Sequence, residues 1–340
     1  MKKIFNNAMM AVALVAAAAC QKGFGDQDLA TATFVVETPA GLATKAEIGD
    51  GSMAGNLVFA VYPYDEKLTI AQNDAAAELT DLRQGDWTKG QTEIIFDSEL
   101  KAVVKVTLVK GKSYQFVCWA QNKNAGCFDF NDMKNIEVSY AAAKSQDELR
   151  DAFYAYACPK DAEGKAIKVT QGFTQTITLK RPFAQINVGA MDMDAAKSAG
   201  LDITKIKSDM TVKGVANTLN TFTGATSGDV DAVFSKMSAV TTVAGTQMLE
   251  INNDAHRGKQ YGWLAMNYVL PLGGGDAVAE FSLYDGNREE GDDLLTSYEV
   301  PNVTLTSNYR THLLGNVLTT EGTINVVIEP AFDDEIVENL

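Results

Sequence analysis

An all-β chain built as two sandwich domains is what this sequence predicts, on three observations. Short period-two or β-branched runs recur along its length, turn-forming residues separate many of them, and helical spacing is nearly absent. The runs are Thr31 to Glu37, Asn56 to Tyr62, Thr92 to Phe96, Ala102 to Val109, Tyr114 to Gln121, Ala152 to Ala157 and Phe173 to Leu179. They continue with Phe183 to Val188, Asp209 to Val215, Tyr261 to Leu270, Val278 to Tyr284, Ser297 to Leu305, Asn308 to Leu318 and Thr323 to Glu329. Lys110-Gly111-Lys112, Gly273-Gly274-Gly275 and Glu321-Gly322 supply turn residues between them. Two short Ala-rich stretches, Ala141 to Leu149 and Met193 to Ala199, have helical spacing.

The amino terminus is read first as an export signal. Met1-Lys2-Lys3 gives a positive head, and Ala8 to Ala19 is an almost unbroken apolar run that ends on Cys20. The run is shorter than the ~20 residues a membrane helix needs, so residues 1–19 read as a cleaved signal peptide and Cys20 as a lipid-attachment cysteine. Ala18 and Ala19 fit a lipobox, whereas Ala17 stands where leucine is usual. The rival is an ordinary Ala-x-Ala cleavage site; on either reading the chain folds outside the cytoplasm.

Residues 20–45 then form a lipidated amino terminus with a first strand, in which Ala32, Phe34 and Val36 share one face. A polar, Gly-rich segment from Gly41 to Gly55 follows, with Lys45 before Ala46. The roughly 320 residues after Cys20 exceed one ordinary core, so two domains are expected, an N-terminal sandwich at 46–180 and a C-terminal one at 181–340. Their boundary is placed near Arg181-Pro182.

Charge narrows the partners. The chain carries 29 basic and 44 acidic residues, a net charge of −15, without a basic tract, which argues against nucleic acid as a partner. After Cys20 three cysteines remain, Cys118, Cys127 and Cys158; they allow one disulfide and demand none. Cys118 alternates with Tyr114 and Phe116, so it reads as a buried strand residue. No paired Cys or His at ligand spacing points to a metal, and no cofactor motif is present.

Catalytic motifs fail one by one. Gly111-Lys112-Ser113 ends like a phosphate loop, but Val106 stands where the first glycine belongs and strands flank it on both sides, so it reads as a hairpin turn. The acidic stretch Asp285 to Asp293 has Glu290 where a calcium loop needs glycine. His256 falls in a polar loop and His312 in a strand, neither beside a nucleophile motif. The chain is therefore not expected to be an enzyme.

Several stretches resemble the fimbrillin-type surface lipoproteins of Bacteroidales, the subunits of type V pili, and particularly a group known only as a domain of unknown function. They are Gly111–Gln121 (GKSYQFVCWAQ), Ile177–Val188 (ITLKRPFAQINV), Tyr261–Pro271 (YGWLAMNYVLP), Asn308–Leu318 (NYRTHLLGNVL) and Asn325–Asp333 (NVVIEPAFD). The resemblance implies two tandem transthyretin-like β-sandwiches, a lipidated precursor at the outer membrane, and no catalysis. It also implies assembly by strand exchange. A trypsin-like cut removes the first strand, and a strand of another subunit fills the groove by β-augmentation. In this chain the removable strand is the one carrying Ala32, Phe34 and Val36, and the cut falls between Lys45 and Ala46. The relatives are cut after arginine, and this chain has none before Arg83.

Two function classes follow. One is a structural or accessory subunit of a surface fimbria that supports adhesion and takes other subunits, or itself, as partners, the lipid holding it to the outer membrane. The other is a non-polymerising surface lipoprotein that binds a glycan or host protein. For the second, Trp87 is the tryptophan placed in a loop, whereas Trp119 and Trp263 lie within apolar strands. The tail with Phe332, Ile336, Val337 and Leu340 among acidic residues is short and charged for a donor strand.

Overall fold

The computed structural model describes residues 28–39, 51–68, 72–73, 82–238, 241–242, 245–246, 248–251, 255–256, 258–273, 275–286, 293–319 and 324–330. The expected signal peptide, Cys20, Lys45 and Ala46, and the tail beyond Pro330, lie outside them. In chain order the strands are β1 Leu29–Glu37, β2 Asn56–Tyr64, β3 Leu82–Gln84, β4 Ile94–Ile95, β5 Lys101–Val109, β6 Ser113–Gln121, β7 Phe128–Asp129 and β8 Asn135–Val138. Next come β9 Ala143–Lys144, β10 Phe153–Ala157, β11 Phe173–Thr178, β12 Ala184–Ala190, β13 Ile206–Ala216, β14 Thr218–Asn220, β15 Thr226–Ser227 and β16 Val230–Ser238. The last are β17 Thr241–Thr242, β18 Gly245–Thr246, β19 Met248–Glu250, β20 Gln260–Pro271, β21 Ala277–Asp285, β22 Asp293–Val303, β23 Tyr309–Gly315 and β24 Asn325–Pro330. The chain is all-β, as its alternating runs require.

It divides into two compact units, one of Met1–Thr38, Asn56–Trp119 and Ala155–Leu179, the other of Pro39–Gly55, Ala120–Tyr154 and Lys180–Leu340. Residues 120–154, expected in the first sandwich, therefore group with the second unit. Pairing explains this: β8 runs antiparallel to β14, with Ile136 opposite Leu219, and β9 runs parallel to β16, with Ala143 opposite Phe234.

The first unit has two sheets, β11-β1-β5 and β10-β6-β2-β3, with β4 added to β2. β1 and β5 show the half-buried alternation of strands covered on one face. Every residue of β6 is buried, so both its faces are covered, and Gln115 keeps partners there. Its Oε1 accepts from the Tyr156 hydroxyl at 2.9 Å and its Nε2 donates to the Pro63 carbonyl at 3.4 Å.

Gly111 corrects the hairpin expectation. β5 and β6 belong to different sheets, so the turn between them carries the chain from one layer to the other. Gly111 has φ +79°, its N–H donates to the Val169 carbonyl at 2.7 Å, and the Val169 N–H returns to Lys112 at 2.9 Å. A glycine suits this left-handed position.

In the second unit the large sheet runs β22-β21-β13-β20-β12-β23-β24, with β16 on β13 and β19 on β20. β13 divides its pairing. Ile206–Lys213 lie opposite β21, whereas Val215 and Ala216 reach β20. The Ser208 hydroxyl donates to the Leu264 carbonyl at 2.9 Å, in a core that includes Met210, Val212, Phe281 and Met266.

One of the two expected helices forms, α1 at Met193–Ser198. The other, Ala141 to Leu149, does not. Ala142 (φ 54°) and Gln146 (φ 63°) sit in the left-handed region, where a right-handed helix cannot continue, and Asp147 instead caps a short 3-10 turn at Glu148–Arg150. The run expected to Leu318 stops at Gly315 because the next backbone groups turn to Asp192. Its carboxylate accepts from the N–H groups of Val317 (3.2 Å), Leu318 (3.0 Å) and Thr319 (2.8 Å).

Candidate functional site

The seat of β1 in the first unit is the site the sequence singles out. β1 lies in the middle of its sheet. It runs antiparallel to β5 from Leu29 opposite Val109 to Glu37 opposite Lys101, and parallel to β11 from Ala32 opposite Phe173 to Glu37 opposite Thr178. Strands consecutive in sequence supply neither partner. A central strand has its backbone groups bonded on both sides, so removing β1 would uncover two strand edges at once.

Ala32, Phe34 and Val36 are each 0 % exposed, the arrangement the alternation predicts for one face of the strand. The Phe34 ring lies 4.5 Å from Phe116 on β6, 5.0 Å from Phe59 on β2 and 5.7 Å, edge-on, from Phe173 on β11. These centroid separations are those of favourable tilted and T-shaped pairs. The ring therefore joins the two sheets of this unit. Its burial and that of Val36 each contribute roughly 1.5–3 kcal/mol.

Both ends of β1 are fastened. The Lys110 N–H donates to the Asp28 carbonyl at 2.8 Å, the Leu179 N–H to the Glu37 carbonyl at 2.8 Å, and the Thr38 N–H to the Leu100 carbonyl at 3.3 Å. Gly172, just before β11, lets the backbones close up, since a Cβ there would stand 2.9 Å from the Thr31 carbonyl oxygen. Neither the parallel pairing with β11 nor the role of Gly172 was readable in the sequence. Parallel partners are distant in the chain and leave no turn signal between them.

The remaining candidates are placed as follows. Trp87 lies half-buried on a 3-10 turn, Trp87–Lys89, capped by Asp86, while Trp119 and Trp263 are buried. Cys118, Cys127 and Cys158, the cysteines among the described residues, are free thiols. Burial holds Cys118 far above the usual thiol range and raises Cys127 to about 11, although Arg150 nearby opposes the latter. Cys158 is raised as well, by burial. Nδ1 of His256 is 2.6 Å from the Tyr261 hydroxyl, and His312 is fully buried in β23. Among the described residues no group of three or more His, Cys, Asp or Glu could hold a metal ion, and no helix is long and apolar enough to cross a membrane.

A buried polar cluster in the second unit went unnoticed in the sequence. Arg181 donates through Nε and Nη2 to the two oxygens of Asp151, each at 2.7 Å, and its guanidinium lies 4.7 Å over the Phe153 ring. Gln185 and Asn187 stand on β12, all of whose residues are buried, and link Tyr268, Trp263 and His312. Polar residues in an otherwise apolar strand were the available signal.

Fold and site define an all-β protein of two units whose amino-terminal strand is seated in the middle of a sheet. The chain belongs to a family of unknown function, DUF6562, whose profile matches residues 26–340. No curated protein matches the chain. Among solved structures it is similar to a candidate cell adhesion protein of Bacteroides ovatus at 11% identity and a TM-score of 0.45, covering 89% of this chain and 98% of the other. It is also similar to a fimbrial assembly protein of Parabacteroides distasonis (14% identity, 88% and 94% covered, TM-score 0.39). A third is the tip fimbrial protein Mfa3 of Porphyromonas gingivalis with a C-terminal truncation (9% identity, 88% and 99% covered, TM-score 0.40).

Proposed function

We propose that this protein is a fimbria-associated surface protein, a structural or accessory subunit that joins its neighbours by strand exchange at the seat of β1 and supports adhesion. The observation that carries the reading is the placement of β1 between β5 and β11 with Phe34 at the centre of the aromatic cluster. An element so placed holds the subunit closed while present. Once gone, it leaves two unpaired edges and an apolar trench, which a strand of matching alternation satisfies. Residues 39–55 join β1 to β2, so a cut between Lys45 and Ala46 severs β1 from the rest of the chain without touching another described strand. Acylation at Cys20 would hold the uncut precursor at the outer membrane, and multiple acyl chains do this firmly where one does not.

Limited trypsin digestion of the purified full chain tests the reading. The first cut is expected after Lys45, followed by ladders of subunits on a gel. First cleavage elsewhere, or a strictly monomeric product after β1 is lost, would overturn it in favour of a monomeric binding lipoprotein. Half-buried Trp87 is the aromatic residue that reading would use.

A further inference from the structure

The geometry points to His312 as an acid-sensitive latch that holds the last described strand, β24, onto the sheet of the second unit and lets it go on acidification. Among the described strands β24 is an edge strand, bonded to β23 alone in the sheet order. Register places His312 opposite Val327, with Glu329 two residues further along β24. His312 is 0 % and Glu329 5 % exposed, and His312 Nε2 stands 3.1 Å from Glu329 Oε2. This is a cross-strand tie between a buried side chain of β23 and one of β24.

The surrounding hydrogen bonds fix how the ring is protonated. Trp263 Nε1–H donates to Asn187 Oδ1 at 3.0 Å, which turns the Asn187 amide nitrogen toward Gln185 Oε1 at 3.2 Å and toward His312 Nδ1 at 3.4 Å. A donor facing Nδ1 makes that nitrogen the acceptor, so the proton of the neutral ring sits on Nε2 and is donated to Glu329. A second proton would have to go on Nδ1, against the Asn187 N–H, and would break the relay at its centre.

The charges facing the ring oppose each other. Glu329, on β24, favours a protonated ring. Arg310 on the same strand as His312 and His256 in its turn disfavour it, and burial disfavours it most, so the His312 pKa lies below its ordinary value. The other neighbours are spoken for. Tyr268 on β20 receives a hydrogen bond from Gln185 and donates to Glu148, and Arg181 is paired with Asp151. A histidine that binds its proton more weakly in the folded state contributes stability that is full above its ordinary pKa near 6.5 and is lost as pH falls below that value. Each proton taken up preferentially by the released state weakens the hold by about tenfold per pH unit within that window.

Hydrogen exchange followed by mass spectrometry on the full chain tests the latch. Protection of the peptide covering 325–330, corrected for intrinsic rates, is compared at pH 7.5 and pH 5 with that of β21. The expected result is a fall of at least several-fold in β24 with β21 unchanged. In Glu329→Gln the ratio between the two pH values should grow, because the amide still accepts from Nε2 but no longer favours the charged ring. In His312→Gln the ratio should return to one. Equal protection at both pH values, better protection in acid, or an unchanged fall in His312→Gln would overturn the proposal. Should His312→Gln fail to fold, the wild-type ratio and its change in Glu329→Gln decide the matter.

Discussion

Phe34 and Phe116 face each other with ring centroids 4.5 Å apart, although one belongs to the sheet β11-β1-β5 and the other to the sheet containing β2, β6 and β10. Replacing Phe34 by alanine should therefore cost the first unit about 3–5 kcal/mol, the range for a fully buried aromatic side chain. Urea unfolding followed by tryptophan fluorescence reads this directly. A loss below about 1 kcal/mol would mean that β1 is not integral to this core.

Asp151 and Arg181 form a two-point pair in which both partners are buried. Asp151→Ala should destabilise the second unit by about 3–5 kcal/mol by leaving the guanidinium without its carboxylate. Replacing both residues by apolar ones of similar volume should cost less than the two single changes added together. A double-mutant cycle by thermal or urea denaturation checks the inequality.

Gly85 has φ +80°, and a Cβ there would lie 2.3 Å from the Leu57 carbonyl oxygen. Gly85→Ala should lower stability by more than about 1 kcal/mol through strain and the shift forced on β2. The same change at Gly90, which also has positive φ but nothing within 4 Å, should cost less. The comparison separates crowding from backbone strain.

The thiols should react in the order their burial sets. At pH 8 an alkylating reagent should mark Cys158 first, Cys127 more slowly because its thiol is raised to about 11, and Cys118 only on unfolding. Mass spectrometry of labelled peptides over time gives the order. Early labelling of Cys118 would contradict the placement of β6 between covered faces.

Much of this architecture was legible in the sequence because burial on one face writes a period of two. Ala32, Phe34 and Val36 announced β1, and Ala102, Val104 and Val106 announced β5. The misreadings share a physical origin. Ala141 to Leu149 has the composition of a helix, yet Ala142 and Gln146 take positive φ, and the Ser145 hydroxyl donates to the Met266 carbonyl at 3.1 Å, so tertiary contacts override propensity. β8 and β14 escaped notice because, at four and three residues, they are too short to show a period, and Asn and Glu, which disfavour strands, stand among their few residues. For the same reason residues 120–154 gave no sign that they pair with the second unit. Gly111 read correctly as a turn, but no local feature tells a hairpin from a turn that changes sheets. The site was half visible: the alternating face of β1 could be read, its distant partner β11 could not.

The measurement that bears most directly on strand exchange is uptake of a fluorescent peptide with the sequence of Leu29–Glu37. Full chain and chain cut between residues 40 and 50, with the released segment removed, are each incubated with the peptide and separated by gel filtration. The account predicts uptake by the cut protein alone, and refusal of a peptide in which Phe34 and Val36 are replaced by aspartate. Failure of the cut protein to take up the peptide, or equal uptake of both peptides, would contradict it.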